Sequence, residues 1–514
     1  MKAWLMFPAR DFDLEQALPA QEAILTQDLA LETLFAVMAQ GDSFVHDVVR
    51  RAMLTSLTDP SDILYRQQVL TDCLAQPAVV RALYDLTVEA IEGERRTYGW
   101  MGDSPNTILG RAVQVLELFI GMLRRLRSIA DAAAGSFHSE GFTRFFTMIQ
   151  TELDDAYLGT MAQRLKELKF RGGLVVSARL GTGNIGRDYV LRDPPPATHW
   201  WQELTRANVA AFSFDIPDRD ENGFRALGEL RDRGVNLAAN VVAQSAEHIL
   251  SFFRMLRTEL AFYIGSVRLF DRLTELGEPA CFPTPDAVDK LVFSVQGLYD
   301  VSLALHISAP VVGNDIEADS KMLVMITGAN QGGKSTFLRS VGLAQLMMQC
   351  GMFTPAQAYR ANVCSGVFTH YRREEDAEMT SGKLDEELAR MSEIADQIQP
   401  HGVLLCNESF AATNEREGSE LARQVIRAMT ESAIKVFFVT HLYDLAISLF
   451  RDQNPAFLFL RAEREEDGRR TYRLHEGKPL PTSYGVDSYR RIFGTAPEPF
   501  AGAALANTSL QPRV

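Results

Sequence analysis

Leu323-Val324-Met325-Ile326-Thr327-Gly328-Ala329-Asn330-Gln331-Gly332-Gly333-Lys334-Ser335-Thr336-Phe337-Leu338-Arg339-Ser340-Val341 joins three patterns in one run. Five residues of strand character come first, then a glycine-rich turn, then helical spacing. The turn fits G-x-x-x-x-G-K-[ST] from Gly328 to Ser335. Glycines let the backbone curl so that its N–H groups face a phosphate, and the following helix N-terminus adds its dipole. The expectation is a P-loop that binds ATP through Gly328, Ala329, Asn330, Gln331, Gly332, Gly333, Lys334, Ser335 and Thr336. Lys334 would reach the β- and γ-phosphates, and the Ser335 hydroxyl would ligate Mg²⁺.

Downstream, Val403-Leu404-Leu405-Cys406-Asn407-Glu408 is an apolar run ending in two polar residues, the Walker B pattern. The first polar position usually holds an Asp for the Mg²⁺ shell; here Asn407 offers an acceptor without charge. Glu408 is the candidate general base. Val436-Phe437-Phe438-Val439-Thr440-His441 is a third such run. A strand-end His can be purely structural. The order glycine-rich loop, Asn-Glu, Thr-His favours His441 as a contact to the γ-phosphate or the attacking water.

Working outward, Val403-Cys406, Val436-Val439 and Phe457-Leu458-Phe459-Leu460 alternate with polar helical segments, the grammar of a mostly parallel sheet covered on both faces. Upstream the pattern is helical from 12 to 170 and again from about 220 to 276. Between them lies a hairpin-like stretch near 172–192, and Pro279, Pro283 and Pro285 mark a junction near 285. From 160 to 192 seven basic residues, Arg171, Arg179 and Arg187 among them, face only Glu167 and Asp188. Such a patch can be a solvated face or a contact for nucleic-acid phosphate.

The 514 residues carry a net charge of −14, which argues against a chain coated in positive charge but leaves room for a local basic surface. No uninterrupted apolar run has the length of a membrane span, and the N-terminus turns polar at Ala9-Arg10-Asp11. The five cysteines are scattered and lack metal spacing, which suits reduced thiols in a cytoplasm.

Taken together, these motifs resemble the ATPase domain of the MutS family of DNA mismatch-repair proteins. GANQGGKSTFLRS at 328–340 is similar to that family's GPNMGGKSTYLRQ, NESFAATNEREGSELA at 407–422 to its DEIGRGTSTYDGLSLA, and FFVTHLYDL at 437–445 to its FATHY segment. Asn314-Asp315, Tyr472-Arg473-Leu474 and Ser483-Tyr484-Gly485-Val486 have counterparts as well. A weaker likeness extends upstream, through the Arg-Gln segment at 62–70 and the helical stretch at 260–283. In the family a Ser before a helix caps the nucleotide of the other subunit. Ser381 matches it, with Gly382 and Lys383 as departures, and also suits an ordinary helix N-cap.

The resemblance implies a mainly α-helical lever and clamp region over 1–285, with a basic hairpin tip near 172–192. An α/β P-loop ATPase domain of the ABC type follows over 286–495, then a flexible tail at 496–514. It implies a homodimer that closes on ATP and Mg²⁺ and acts on DNA. Departures accompany it. None of the 30 Phe has Glu two places on, so the family's mismatch reader is not expected, nor are its connector and its C-terminal dimerisation helices. Val311 or Val312 stands where the family has an aromatic under the adenine. The rival is an ATP-dependent switch acting on a protein partner with little hydrolysis, which Asn407 and the acidic balance favour. A transporter-energising subunit would carry Leu-Ser-Gly-Gly-Gln, which is absent.

Overall fold

The structure, a computed structural model, describes residues 1–97, 104–171, 173–192, 215–373, 382–465 and 470–481. It divides into two compact units that interleave along the chain. The first is Met1–Leu14 with Gln68–Ile264, and the second is Glu15–Gln67 with Gly265–Val514. A junction near 285 divides the chain once; the structure groups 15–67 with the glycine-rich loop and its sheet.

Helices α1 (Glu22–Asp28), α2 (Leu31–Ala39) and α3 (Ser43–Leu54) open the second unit. The division falls within α4 (Pro60–Ala75). The first unit then holds α5 (Pro77–Thr97), α6 (Pro105–Ala133), α7 (Glu140–Glu152) and α8 (Asp155–Glu167). Its starts are written in the sequence. Ser104, Ser139 and Asp154 cap α6, α7 and α8 by accepting the N–H groups of Thr107, Phe142 and Tyr157. By length and composition the stretch Pro105–Ser136 is apolar enough to cross a membrane, yet half of that window is buried. Its buried side, from Leu109 through Phe119 to Leu126, packs against α5, α7 and α8, as a core helix does.

The hairpin appears as β1 (Val175–Leu180) and β2 (Gly186–Arg192), antiparallel, with Arg179 directly opposite Arg187. The helix α9 (Glu221–Leu276) runs 56 residues, and the division between units falls within it too. In the first unit its Glu259 is fully buried, with one carboxylate oxygen accepting the Leu5 N–H at 2.6 Å and the other that of Phe12 at 3.3 Å.

The second unit continues with β3 (Thr284–Asp286), β4 (Phe293–Leu298), α10 (Val301–Ile307), β5 (Asn314–Glu317), β6 (Leu323–Thr327), α11 (Lys334–Gln349), β7 (Ala358–Asn362) and β8 (Val367–Tyr371). It closes with α12 (Lys383–Gln397), β9 (Val403–Asn407), α13 (Glu415–Glu431), β10 (Lys435–Val439), α14 (Tyr443–Arg451), β11 (Phe457–Arg464) and β12 (Arg470–Glu476). A six-stranded sheet has the order β12-β11-β6-β10-β9-β8, parallel except for the edge strand β12. Its strands β6, β8 and β10 are buried at every position, so β6 and most of β10 read as apolar runs rather than alternations, while β8 buries Thr369 and His370 as well. A smaller sheet, β3-β7-β4-β5, stands beside it in the same unit.

The register decides where the polar strand ends meet. Val439 of β10 pairs with Ile326 of β6 on one side and Asn407 of β9 on the other. The glycine-rich loop, Asn407-Glu408 and Thr440-His441 therefore leave the sheet at one carboxyl edge, where open α/β sheets bind ligands.

Candidate active site

Between β6 and α11 the loop runs through backbone conformations that side chains resist. Gly328 sits at φ 117° and Gly333 at φ 87°. A Cβ on Gly328 would come within 2.9 Å of the Ala462 backbone N, so the position demands glycine on two counts. Lys334 opens α11 and is buried; its Nζ donates to the carbonyls of Gly328 and Ala329 at 3.0 Å each. Burial pushes its ammonium below the usual lysine range, while Glu408 raises it and Arg470 lowers it further.

Ser335 Oγ donates to Asn407 Oδ1 at 2.9 Å. This bond joins the two residues assigned to the metal shell. Magnesium takes few protein oxygens and keeps water and phosphate oxygens for the rest. A hydroxyl and an amide oxygen this close fit that demand, although neither brings charge. Glu408 is half-buried at φ 55°, and its N–H donates to the Val439 carbonyl at 2.9 Å. His441 is exposed, its Nδ1 3.9 Å from Glu408 Oε2, beyond hydrogen-bond reach. Lys334, Ser335, Asn407, Glu408 and His441 thus stand at one edge. Ser381 lies outside the described residues, as do Ser483-Tyr484-Gly485-Val486.

Beside the loop is a cavity of about 420 Å³ whose lining includes Val311, Val312, Asn314, Gln331, Gly333 and Tyr472. Motif spacing did not place Tyr472 here. It sits on β12 at φ 60°, about half exposed, and the strand is tied down by the buried Asn314. Asn314 Oδ1 accepts the Leu474 N–H at 2.7 Å, and its amide faces the Tyr472 carbonyl. The sequence marked this tyrosine only as part of Tyr472-Arg473-Leu474, a counterpart of the family's closing segment, with no role attached. The cavity has mostly apolar walls and three aromatic rings, Tyr299, Phe337 and Tyr472, which suit a flat heterocycle. Arg339 and the buried Asp300, paired at 2.6 Å beneath it, were also missed.

In the first unit Arg171, Arg179 and Arg187 are all exposed. Arg179 and Arg187 face each other across the hairpin, an arrangement of like charges that costs stability unless an anion lies over it. Arg164, Lys166, Arg171 and Arg192 line a cavity of about 430 Å³ at the hairpin's base.

Fold and site define a multidomain protein of helical and α/β parts, with a glycine-rich loop at the carboxyl edge of a mostly parallel sheet. Family models place it further: that for the MutS2 N-terminal domain matches residues 58–276, and that for MutS domain V matches 324–501. The chain belongs to the MutS family. The DNA mismatch repair protein MutS of Chloroflexus aurantiacus is 28% identical over 294 residues, covering 55% of this chain and 30% of that protein. The protein of the same name from Desulforamulus reducens is 26% identical over 326 residues, 55% of this chain and 36% of its own length. MutS protein homolog 4 of Mus musculus is 24% identical over 285 residues, 53% and 29% respectively. The chain thus spans about a third of the length of these curated relatives.

Proposed function

We propose that this chain is a MutS-like P-loop ATPase. ATP and Mg²⁺ close a homodimer, hydrolysis reopens it, and the helical part passes the change to bound DNA, in cytoplasmic repair or recombination. The observation that carries the reading is the Ser335–Asn407 hydrogen bond of 2.9 Å at the strand edge that also holds Lys334 and Glu408. When bound, Mg²⁺ would neutralise phosphate charge beside Ser335 and Asn407. Lys334 would leave the loop carbonyls for the phosphates, and Glu408 would take a proton from the attacking water. The cavity between Val311, Val312 and Tyr472 would hold the base. ATP turnover with and without mismatched, branched and intact duplex DNA tests the reading. No ATP binding, or turnover indifferent to every DNA, overturns it.

Asn407 supports a second reading, a switch on a protein partner with little hydrolysis, because the uncharged amide holds the metal less firmly. Asn407→Asp separates the two. The carboxylate keeps the acceptor for Ser335 and adds a charge beside the cation, offset in part by its own desolvation. The expected result is a roughly ten- to hundredfold lower Mg²⁺ concentration at half-maximal activity, with faster turnover. An unchanged Mg²⁺ titration would favour the switch.

For the DNA arm, replacing Arg171, Arg179 and Arg187 together with Ala is expected to weaken binding to all duplexes alike. Each lost phosphate contact lowers the salt slope by about 0.9. Fluorescence anisotropy across a salt series measures it. An unchanged slope would move the DNA contact off the hairpin.

A further inference from the structure

The turn that carries Glu408 does not hold itself. Glu408 lies at φ 55° and Phe410 at φ 62°, so two non-glycine residues occupy the left-handed region on either side of Ser409. Such a conformation is costly for a residue with a side chain and persists only where surrounding contacts impose it. Those contacts converge on one side chain. His370, fully buried on β8, has its Nδ1 2.7 Å from Ser409 Oγ and its Nε2 3.0 Å from the Glu387 carbonyl on α12. Its ring stacks on that of Phe410 with centroids 5.6 Å apart.

Proton accounting orients the bonds. The Glu387 carbonyl can only accept, so Nε2 of His370 carries the hydrogen. Nδ1 is then an acceptor, and the Ser409 hydroxyl donates to it, with the His370 carbonyl at 2.9 Å as the alternative acceptor. Burial pushes His370 down to about 4, which keeps this neutral form at ordinary pH. Glu387 adds a second tie, its carboxylate accepting the Phe410 N–H. The helix α12 is thus joined to both residues that follow Glu408.

We propose that His370 is a positioning residue for hydrolysis: through Ser409 and Phe410 it fixes the turn that aims the Glu408 carboxylate, and through Glu387 it makes that aim depend on where α12 sits. This rests on the reading of Glu408 as the base. His370 bonds to Ser409 and Glu387 and stacks on Phe410, all outside the glycine-rich loop, so its loss is expected to act on the chemical step and spare binding.

The test is steady-state ATPase kinetics, with ATP affinity measured separately by calorimetry. His370→Ala and Ser409→Ala are each expected to lower kcat on the order of ten- to a hundredfold, the effect of a misplaced catalytic group. KM and affinity are expected to stay within about twofold. The conservative variants divide the two bonds. His370→Asn keeps an acceptor for Ser409, whereas His370→Gln keeps a donor to the Glu387 carbonyl. If the turn is what matters, Asn restores more kcat than Gln. Ser409→Ala removes only a small buried hydroxyl and answers the case in which His370→Ala fails to fold. Combining Ser409→Ala with His370→Asn is expected to cost little more than Ser409→Ala alone, because both act through one contact. Parental kcat in Ser409→Ala, or equal falls in kcat and affinity, overturns the inference while leaving the ATPase reading intact. Absence of hydrolysis by the parent chain overturns both.

Discussion

Lys334→Ala is expected to weaken ATP binding by about 2–5 kcal/mol, roughly 30- to 5,000-fold in Kd, measured by calorimetry at fixed Mg²⁺. Lys334 is 5% exposed, and both carbonyls that hold its Nζ belong to the loop itself. That arrangement keeps the ammonium against the glycine-rich loop. A phosphate arriving there trades two neutral acceptors for an anionic one in a site with little water, which is where a charge-assisted bond is strongest. Alanine removes both bonds to the loop carbonyls, while Gly328 and Gly333 still permit the positive-φ conformations of the loop. Burial already disfavours the ammonium, so the nucleotide-free protein is expected to keep its Tm or gain slightly. Loss of affinity with an unchanged Tm separates a phosphate contact from a folding defect. Unchanged affinity would remove the glycine-rich loop from nucleotide binding altogether.

What could be read from the sequence follows from how locally each feature is encoded. The strands β6, β9 and β10 are short apolar runs because both faces of a parallel sheet are covered. Their polar ends, Thr327, Asn407 and Thr440, mark the carboxyl edge. The hairpin was legible from its turn residues Gly181-Thr182-Gly183-Asn184 between two strand-like runs. The interleaving of the two units was not. Helical periodicity tells which face of α4 is buried but not against what. Arg66 is 1% exposed because its guanidinium donates to the Cys350 carbonyl, a partner 284 residues away. Likewise Gln349 donates to the Leu57 carbonyl and also to that of Cys364. A buried Arg and a buried Gln look like surface residues to any reading of hydrophobic pattern. The small sheet escaped for another reason: β3 spans three residues and β5 four, too short to show a period. At the site, the spacing of motifs named the loop, Asn407, Glu408 and His441. Tyr472 and His370 are set by pairing between strands, which one-dimensional spacing does not carry.

Glu408→Gln is expected to cut ATP turnover by about 100- to 10,000-fold, the usual contribution of a general base, while ATP still binds. Glutamine has nearly the same volume and keeps the φ 55° turn, since the backbone bond to Val439 and the contacts of Ser409 and Phe410 are untouched. What it loses is the capacity to accept a proton from water. Binding is expected to hold or tighten, because two effects oppose each other. Without its negative charge Lys334 loses a favourable neighbour, and the incoming phosphates lose an unfavourable one. The phosphates carry the larger charge, so the second effect outweighs the first. With ATP bound and not consumed, the closed dimer accumulates, and sedimentation at equal ATP concentration is expected to show more dimer than in the parent chain. Adding His441→Ala to this variant is expected to change little, since the imidazole stands 3.9 Å from the carboxylate, and any role it plays in turnover requires the base. Parental turnover in Glu408→Gln would rule out this carboxylate as the base, and a stable dimer without ATP would break the link between nucleotide and closure.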